Sequence, residues 1–162
     1  MPTQPFVNDS EGVSAELTGK GRFQTALHLR GQTILADEPV EVGGLASGPT
    51  PYELLSGSLA ACTAMTMRLY AERKGWELAQ FRVEVVHSPP LGGSERDRFM
   101  RRIHLAAPLD EERKARLMEI ANRCPVHRTL ERGFDISTAF GDAPQGGESP
   151  SQHMIDMEAA CA

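Results

Sequence analysis

Residues 47–75 read S-G-P-T-P-Y-E-L-L-S-G-S-L-A-A-C-T-A-M-T-M-R-L-Y-A-E-R-K-G, one long helix around which the other elements must be arranged. Thr50 is a suitable N-cap, Pro51 fits the first helical position, and Glu53 stands three residues after the cap, as in a capping box. Gly75 supplies a C-terminal stop. No charge occurs from Leu54 to Met67, and small residues lie around the whole circumference. A helix without a polar face is covered on all sides. The uncharged run is shorter than the roughly 20 residues of a membrane span, so the covering comes from protein. Cys62 lies in its middle.

Outward from this helix, residues 22–29 and 32–36 alternate apolar and polar and read as two strands about the turn Arg30-Gly31. Asp37-Glu38-Pro39 breaks the second, and a loop containing Gly43-Gly44 leads into the helix. Downstream, 81–87 and 99–106 read as an antiparallel pair about an exposed Pro/Gly-rich loop. Asp110 caps a second helix whose first turn is acidic. Leu117, Ile120, Ala121 and Cys124 follow at helical spacing, and Pro125 disfavours helical geometry at Cys124, placing that thiol at a helix end. A short helix over 126–132 ends at Gly133, and 134–140 reads as a last strand. Residues 1–15 form an irregular lead-in and 141–162, rich in Gly, Pro, Ser and Gln, a flexible tail. The pattern predicts an α+β fold with one domain over 1–140. One small sheet cannot enclose a helix apolar all round, so a second copy of the chain is the simplest cover.

Composition narrows the function. With 17 basic and 22 acidic residues and no basic stripe, nucleic acid is disfavoured as a partner. The first residues lack the character of a signal peptide, and three cysteines without one fit a reducing cytoplasm. Cys62 and Cys124 suit a thiol that attacks a peroxide and a second that condenses with the resulting sulfenic acid; they equally suit two small core residues. Glu53 has a capping explanation. It also stands nine residues from Cys62, about 13 Å along the axis and on the opposite face, so a site using both takes Glu53 from a second subunit. An arginine beside Cys62 would favour the thiolate, with Arg22, Arg30 and Arg128 as candidates. His87 and Asp37/Glu38 are further candidates for lining the site. Cys124-Pro125-Val126-His127 lacks the second ligand pair that zinc requires, so no metal or other cofactor is expected. Cys161 reads as an incidental thiol of the tail.

Two segments carry a resemblance. A-D-E-P-V-E-V-G-G (36–44), running into the helix sequence above, and I-A-N-R-C-P-V-H-R-T-L (120–130) together resemble the OsmC/Ohr family of osmotically inducible and organic hydroperoxide resistance proteins, over 22–140. The resemblance implies antiparallel sheets wrapped around two long central helices in an intertwined homodimer. It also implies a peroxiredoxin-like antioxidant activity in the stress response, without metal or haem, on organic hydroperoxides. Cys62 matches the peroxidatic cysteine, Cys124 the resolving cysteine, and Glu53 the glutamate that helps an arginine hold the thiolate. The implied reductant is a dithiol, lipoyl or thioredoxin in type. The family's arginine comes from the N-terminal strands or from just before the glycine loop. Here 36–39 is acidic, which leaves Arg22 or Arg30. That departure motivates an alternative, a non-enzymatic dimer that binds a small apolar ligand or a partner protein.

Overall fold

The computed structural model describes residues 12–106, 108–140 and 151–162. They fall into two compact units.

In the first unit, comprising described residues 12–51 and 137–140, three antiparallel strands form a sheet in the order β1 (Ser14–Leu17), β2 (Thr25–Leu29), β3 (Gln32–Ala36). β2 and β3 pair from Thr25↔Ala36 to Leu29↔Gln32 about the expected Arg30-Gly31 turn. β1 begins inside the expected irregular lead-in 1–15, of which 1–11 lie outside the described residues; it is four residues long and mostly exposed, too short to leave a periodic signal. The loop after β3 is tied to Asp37. Its carboxylate accepts the N–H groups of Glu38 (2.8 Å), Leu45 (3.1 Å) and Ser47 (3.3 Å) and the hydroxyl of Ser47 (2.6 Å). These bonds, the Ser47 hydroxyl first, hold the Asp37 pKa below the ordinary carboxylate range. Gly44 passes so close to the Glu38 carbonyl that a Cβ would collide with it. The acidic segment is a loop staple, which is why Asp37 points into its own chain.

The second unit comprises described residues 52–136 and 151–162. Helix α1 (Pro51–Arg73) has the expected extent and ends at Gly75, whose φ of 64° is left-handed. β4 (Phe81–Ser88) and β5 (Arg98–Leu105) pair antiparallel from Phe81↔Leu105 to Ser88↔Arg98. α2 (Glu111–Asn122) starts at Asp110, which accepts the Arg113 N–H at 2.8 Å, and α3 (Pro125–Arg132) starts at Cys124. Met67, Tyr70 and Ala71 of α1 pack with Leu78, Leu117, Ile120 and Ala121. Of the two buried threonines of α1, Thr66 donates to the Cys62 carbonyl and the Thr63 hydroxyl lies within hydrogen-bond reach of the Leu59 carbonyl, each at 2.7 Å.

Three expectations are corrected. Residues 134–140 form no strand, because no described strand pairs with them, and their alternating apolar side chains stay in solvent, Ile136 79% exposed. Residues 151–162 carry a helix, α4 (Gln152–Ala160), with Met157 and Ala160 buried; 141–150 lie outside the described residues. Cys161 is no surface thiol, for it is buried with Met67 and Ile120 and its Sγ contacts the Thr66 carbonyl at 3.5 Å. Among the described residues no helix is long and apolar enough to cross a membrane.

Candidate functional site

Cys62 and Cys124 come together in a buried cluster with Leu59, flanked by Val85, Phe99, Val126 and Leu130. Both are free thiols, 2% and 0% exposed. α1 brings Cys62 to the contact. Pro125 ends the helical run after α2 and starts α3, so Cys124 becomes the N-cap and its sulfur accepts the His127 N–H at 3.4 Å. The preceding amide, Val126 N–H, donates to the Cys62 sulfur at 3.4 Å. The start of α3 therefore gives one amide to each thiol.

The arginine of the site is Arg101 on β5, which sequence reasoning missed. Its guanidinium donates to Thr63 Oγ1 (2.9 Å), to the Ala121 carbonyl (3.0 Å) and to Asn122 Oδ1 (2.6 Å), joining α1, α2 and β5 beside Cys124. The signal was present: Arg101 alternates with Phe99 and Ile103 on the inward face of its strand, where a surface arginine does not belong. Arg22 and Arg30 lie in the first unit, Arg22 over the ring of Phe23 and Arg30 in the β2–β3 turn. Arg128 is exposed on α3.

A second missed residue is His153 of α4, whose Nε2 stands 3.2 Å from Cys62 Sγ. It falls on a helical period with Asp156, Met157, Ala160 and Cys161, all on the half-buried or buried face of α4.

The electrostatics of the two thiols diverge. Cys124 is drawn down to about 5, first by the hydrogen bond from Cys62, then, against burial, by the His127 amide, the Thr63 hydroxyl and Arg101. The Cys62 thiol is pushed above the ordinary thiol range, first by donating to Cys124 and then by burial. The two sulfurs titrate as one pair, with Cys62 the side held up and Cys124 the side drawn down. Thr63 Oγ1 lies 3.6 Å from Cys124 Sγ; having one proton, it donates either to that sulfur or to the Leu59 carbonyl.

Glu53 does not join this cluster within the chain. It lines a separate cavity of about 450 Å³ with Tyr52, Ser56, Ala60 and His87. His87 stacks on Tyr52 at 3.9 Å and is 3.1 Å from the Asp97 carboxylate. A larger groove of about 850 Å³ shares Leu59, Phe99 and Leu130 with the thiol cluster and is further lined by Phe134, Arg101 and Asn122 among others.

Fold and site together define a small α+β protein built around a buried pair of thiols. The sequence profile described as OsmC-like protein matches residues 44–139, more than half of the chain, and the chain belongs to that family. Three solved structures share the fold. An OsmC-like protein from Mycoplasma pneumoniae is 23% identical with a TM-score of 0.60, over 76% of this chain and 89% of that one. A protein of Psychrobacter arcticus 273-4, named for osmotic stress induction and the detoxification response, is 20% identical with a TM-score of 0.61, over 79% and 90%. The organic hydroperoxide resistance protein OsmC of Legionella pneumophila is 17% identical with a TM-score of 0.55, over 74% and 87%. No curated protein matches significantly.

Proposed function

We propose that the protein is a cytoplasmic, homodimeric thiol peroxidase that reduces organic hydroperoxides to alcohols. The observation that carries this reading is the Cys62–Cys124 contact, made by residues 62 positions apart and furnished with Arg101 and two backbone amides. Two merely structural cysteines need no such donors.

The Cys62 thiolate attacks the distal peroxide oxygen, the O–O bond breaks, and the alkoxide leaves with a proton as the alcohol. Sulfur loses two electrons and becomes the sulfenic acid. Cys124, already a thiolate, attacks the Cys62 sulfur; the hydroxyl departs with a proton as water, and the disulfide forms. A dithiol, lipoyl or thioredoxin in type, returns both thiols. The apolar walls of the groove beside the pair suit the alkyl part of the substrate.

The homodimer is supported by two surfaces. α1 leaves uncharged Gly57, Ser58, Ala61 and Met65 exposed along one side, and 134–140 keeps a strand-like alternation with no partner strand among the described residues. In such a dimer Glu53 would complete the site of the other copy.

The deep burial of both sulfurs favours one other reading, a non-enzymatic dimer whose groove holds a small apolar ligand. Titrating the reduced protein with cumene hydroperoxide, followed by non-reducing peptide mass spectrometry, separates the two. The peroxidase reading expects rapid, stoichiometric Cys62–Cys124 disulfide, abolished by Cys62→Ser. Slow oxidation scattered over all three cysteines supports the binding reading instead.

A further inference from the structure

We infer that His153, carried by α4, is the general base that ionises Cys62 and the acid that returns the proton to the departing alkoxide. The inference rests on the peroxidase reading for its second half, whereas ionisation of Cys62 stands without it.

The need for a base follows from the thiol pair itself. A thiol reacts as its thiolate, and Cys124 holds the thiolate of the pair, leaving Cys62 protonated. Arg101 cannot take that proton, since a guanidinium only donates; its bonds go to Thr63, Ala121 and Asn122, and its charge acts on Cys124 before Cys62. Among the described residues, and apart from Cys124 itself, the side chain that touches Cys62 Sγ and can accept a proton is His153, at 3.2 Å. This is the distance at which an imidazole activates a cysteine nucleophile.

With its own proton on Nδ1, the neutral ring presents Nε2 as an acceptor to the Cys62 S–H. Transfer leaves two thiolates side by side, but each then has its own partners. Arg101 stands by Cys124, while the new imidazolium and the Val126 N–H stand by Cys62. The Cys62 sulfur gives an electron pair to the distal peroxide oxygen, the O–O bond breaks, and the imidazolium proton goes to the alkoxide. One thiol and one hydroperoxide become one sulfenic acid and one alcohol, with His153 neutral again.

The histidine is held in place. α4 buries Met157 and Ala160, Cys161 follows into the same core, and the Arg73 guanidinium bonds the Glu158 carbonyl at 3.1 Å. A helix with no role beyond covering the core needs no imidazole aimed at a sulfur.

The test compares the full-length reduced protein with His153→Ala and His153→Gln, each checked for an unchanged melting profile. Two rates are read by site-resolved mass spectrometry: iodoacetamide labelling of Cys62, and disulfide formation with cumene hydroperoxide. General base catalysis is worth about 10²–10⁴-fold, so both variants are expected to slow both reactions by about 100-fold or more. Added imidazole is expected to recover at least about tenfold in the Ala variant, which leaves room for it, and little in the Gln variant. A purely structural histidine predicts the opposite for labelling, because Ala uncovers the sulfur. Parent-like rates in a folded variant, or a loss in the Ala variant that imidazole does not touch, overturn the inference; if the Ala variant does not fold, the Gln rates alone decide. Slowed labelling in a protein whose parent ignores peroxide removes the peroxidase reading and keeps His153 as the base of Cys62. Peroxide turnover unaffected by either variant does the reverse.

Discussion

At the scale of the residue, the divergence between Cys62 and Cys124 is the most consequential feature. The Cys124 pKa is about 5 in the folded chain, against about 8.5 for a free thiol in the unfolded one. Between those values the unfolded state binds a proton that the folded state does not, so stability from this group rises with pH over that window and is lost as pH falls through 5. Cys62, held above the ordinary thiol range in the folded chain, keeps its proton in both states over most of that window and opposes the trend only at about pH 8.5, where the unfolded thiol starts to ionise. A serine in place of Cys124 would keep the N-cap and lose the charge, so the Tm advantage of the reduced parent over Cys124→Ser is expected to widen from pH 5 to pH 8.5. A gap that is flat across the window means that Cys124 is not the anion of the pair. Sequence reaches the two thiols and the helix end at which Cys124 sits, because proline and helical spacing are local facts. The thiolate assignment is not local: it depends on Thr63, Arg101 and the α3 amides meeting from separate segments.

At the scale of the element, the legible parts are those whose own periodicity and caps suffice. α1, β3 and α2 fall within two residues of expectation for that reason, as does the β4–β5 pairing. Residues 134–140 fail because a strand is a relation between two segments, and alternation in one does not supply the other. α4 fails in the other direction. Averaged with the Gly/Pro-rich residues before it, its composition looks like a tail, yet 153, 156, 157, 160 and 161 recur at helical spacing and face inward. If α4 is part of the core, Met157→Ala is expected to cost about 2–5 kcal/mol, read as a lower urea midpoint at unchanged slope. A midpoint within error of the parent returns 151–162 to the status of a tail.

At the scale of the whole molecule, one continuous helix fixes a distance that no loop can absorb. α1 runs unbroken from Pro51 to Arg73, so Glu53 stays about 13 Å along the axis from Cys62 of its own chain. Its neighbours around the cavity are Tyr52 and His87, not the thiols. If Glu53 assists the peroxide reaction, it does so across a two-fold axis, and that arrangement has a signature no single-chain site can produce. Cys62→Ser and Glu53→Gln are each expected to be inactive or strongly impaired as homodimers. Mixed under conditions that exchange subunits, they form heterodimers in which one site pairs the intact Cys62 of one copy with the intact Glu53 of the other. Random exchange makes about half of the dimers mixed, with one good site of two, so about a quarter of the parent turnover is expected to return. Ala61→Arg places a charge on the uncovered side of α1 and is expected to shift the sedimenting species to the monomer and abolish the complementation. No recovery from a mixture shown to exchange would assign Glu53 to its own chain, where it serves the start of α1 and not a thiol.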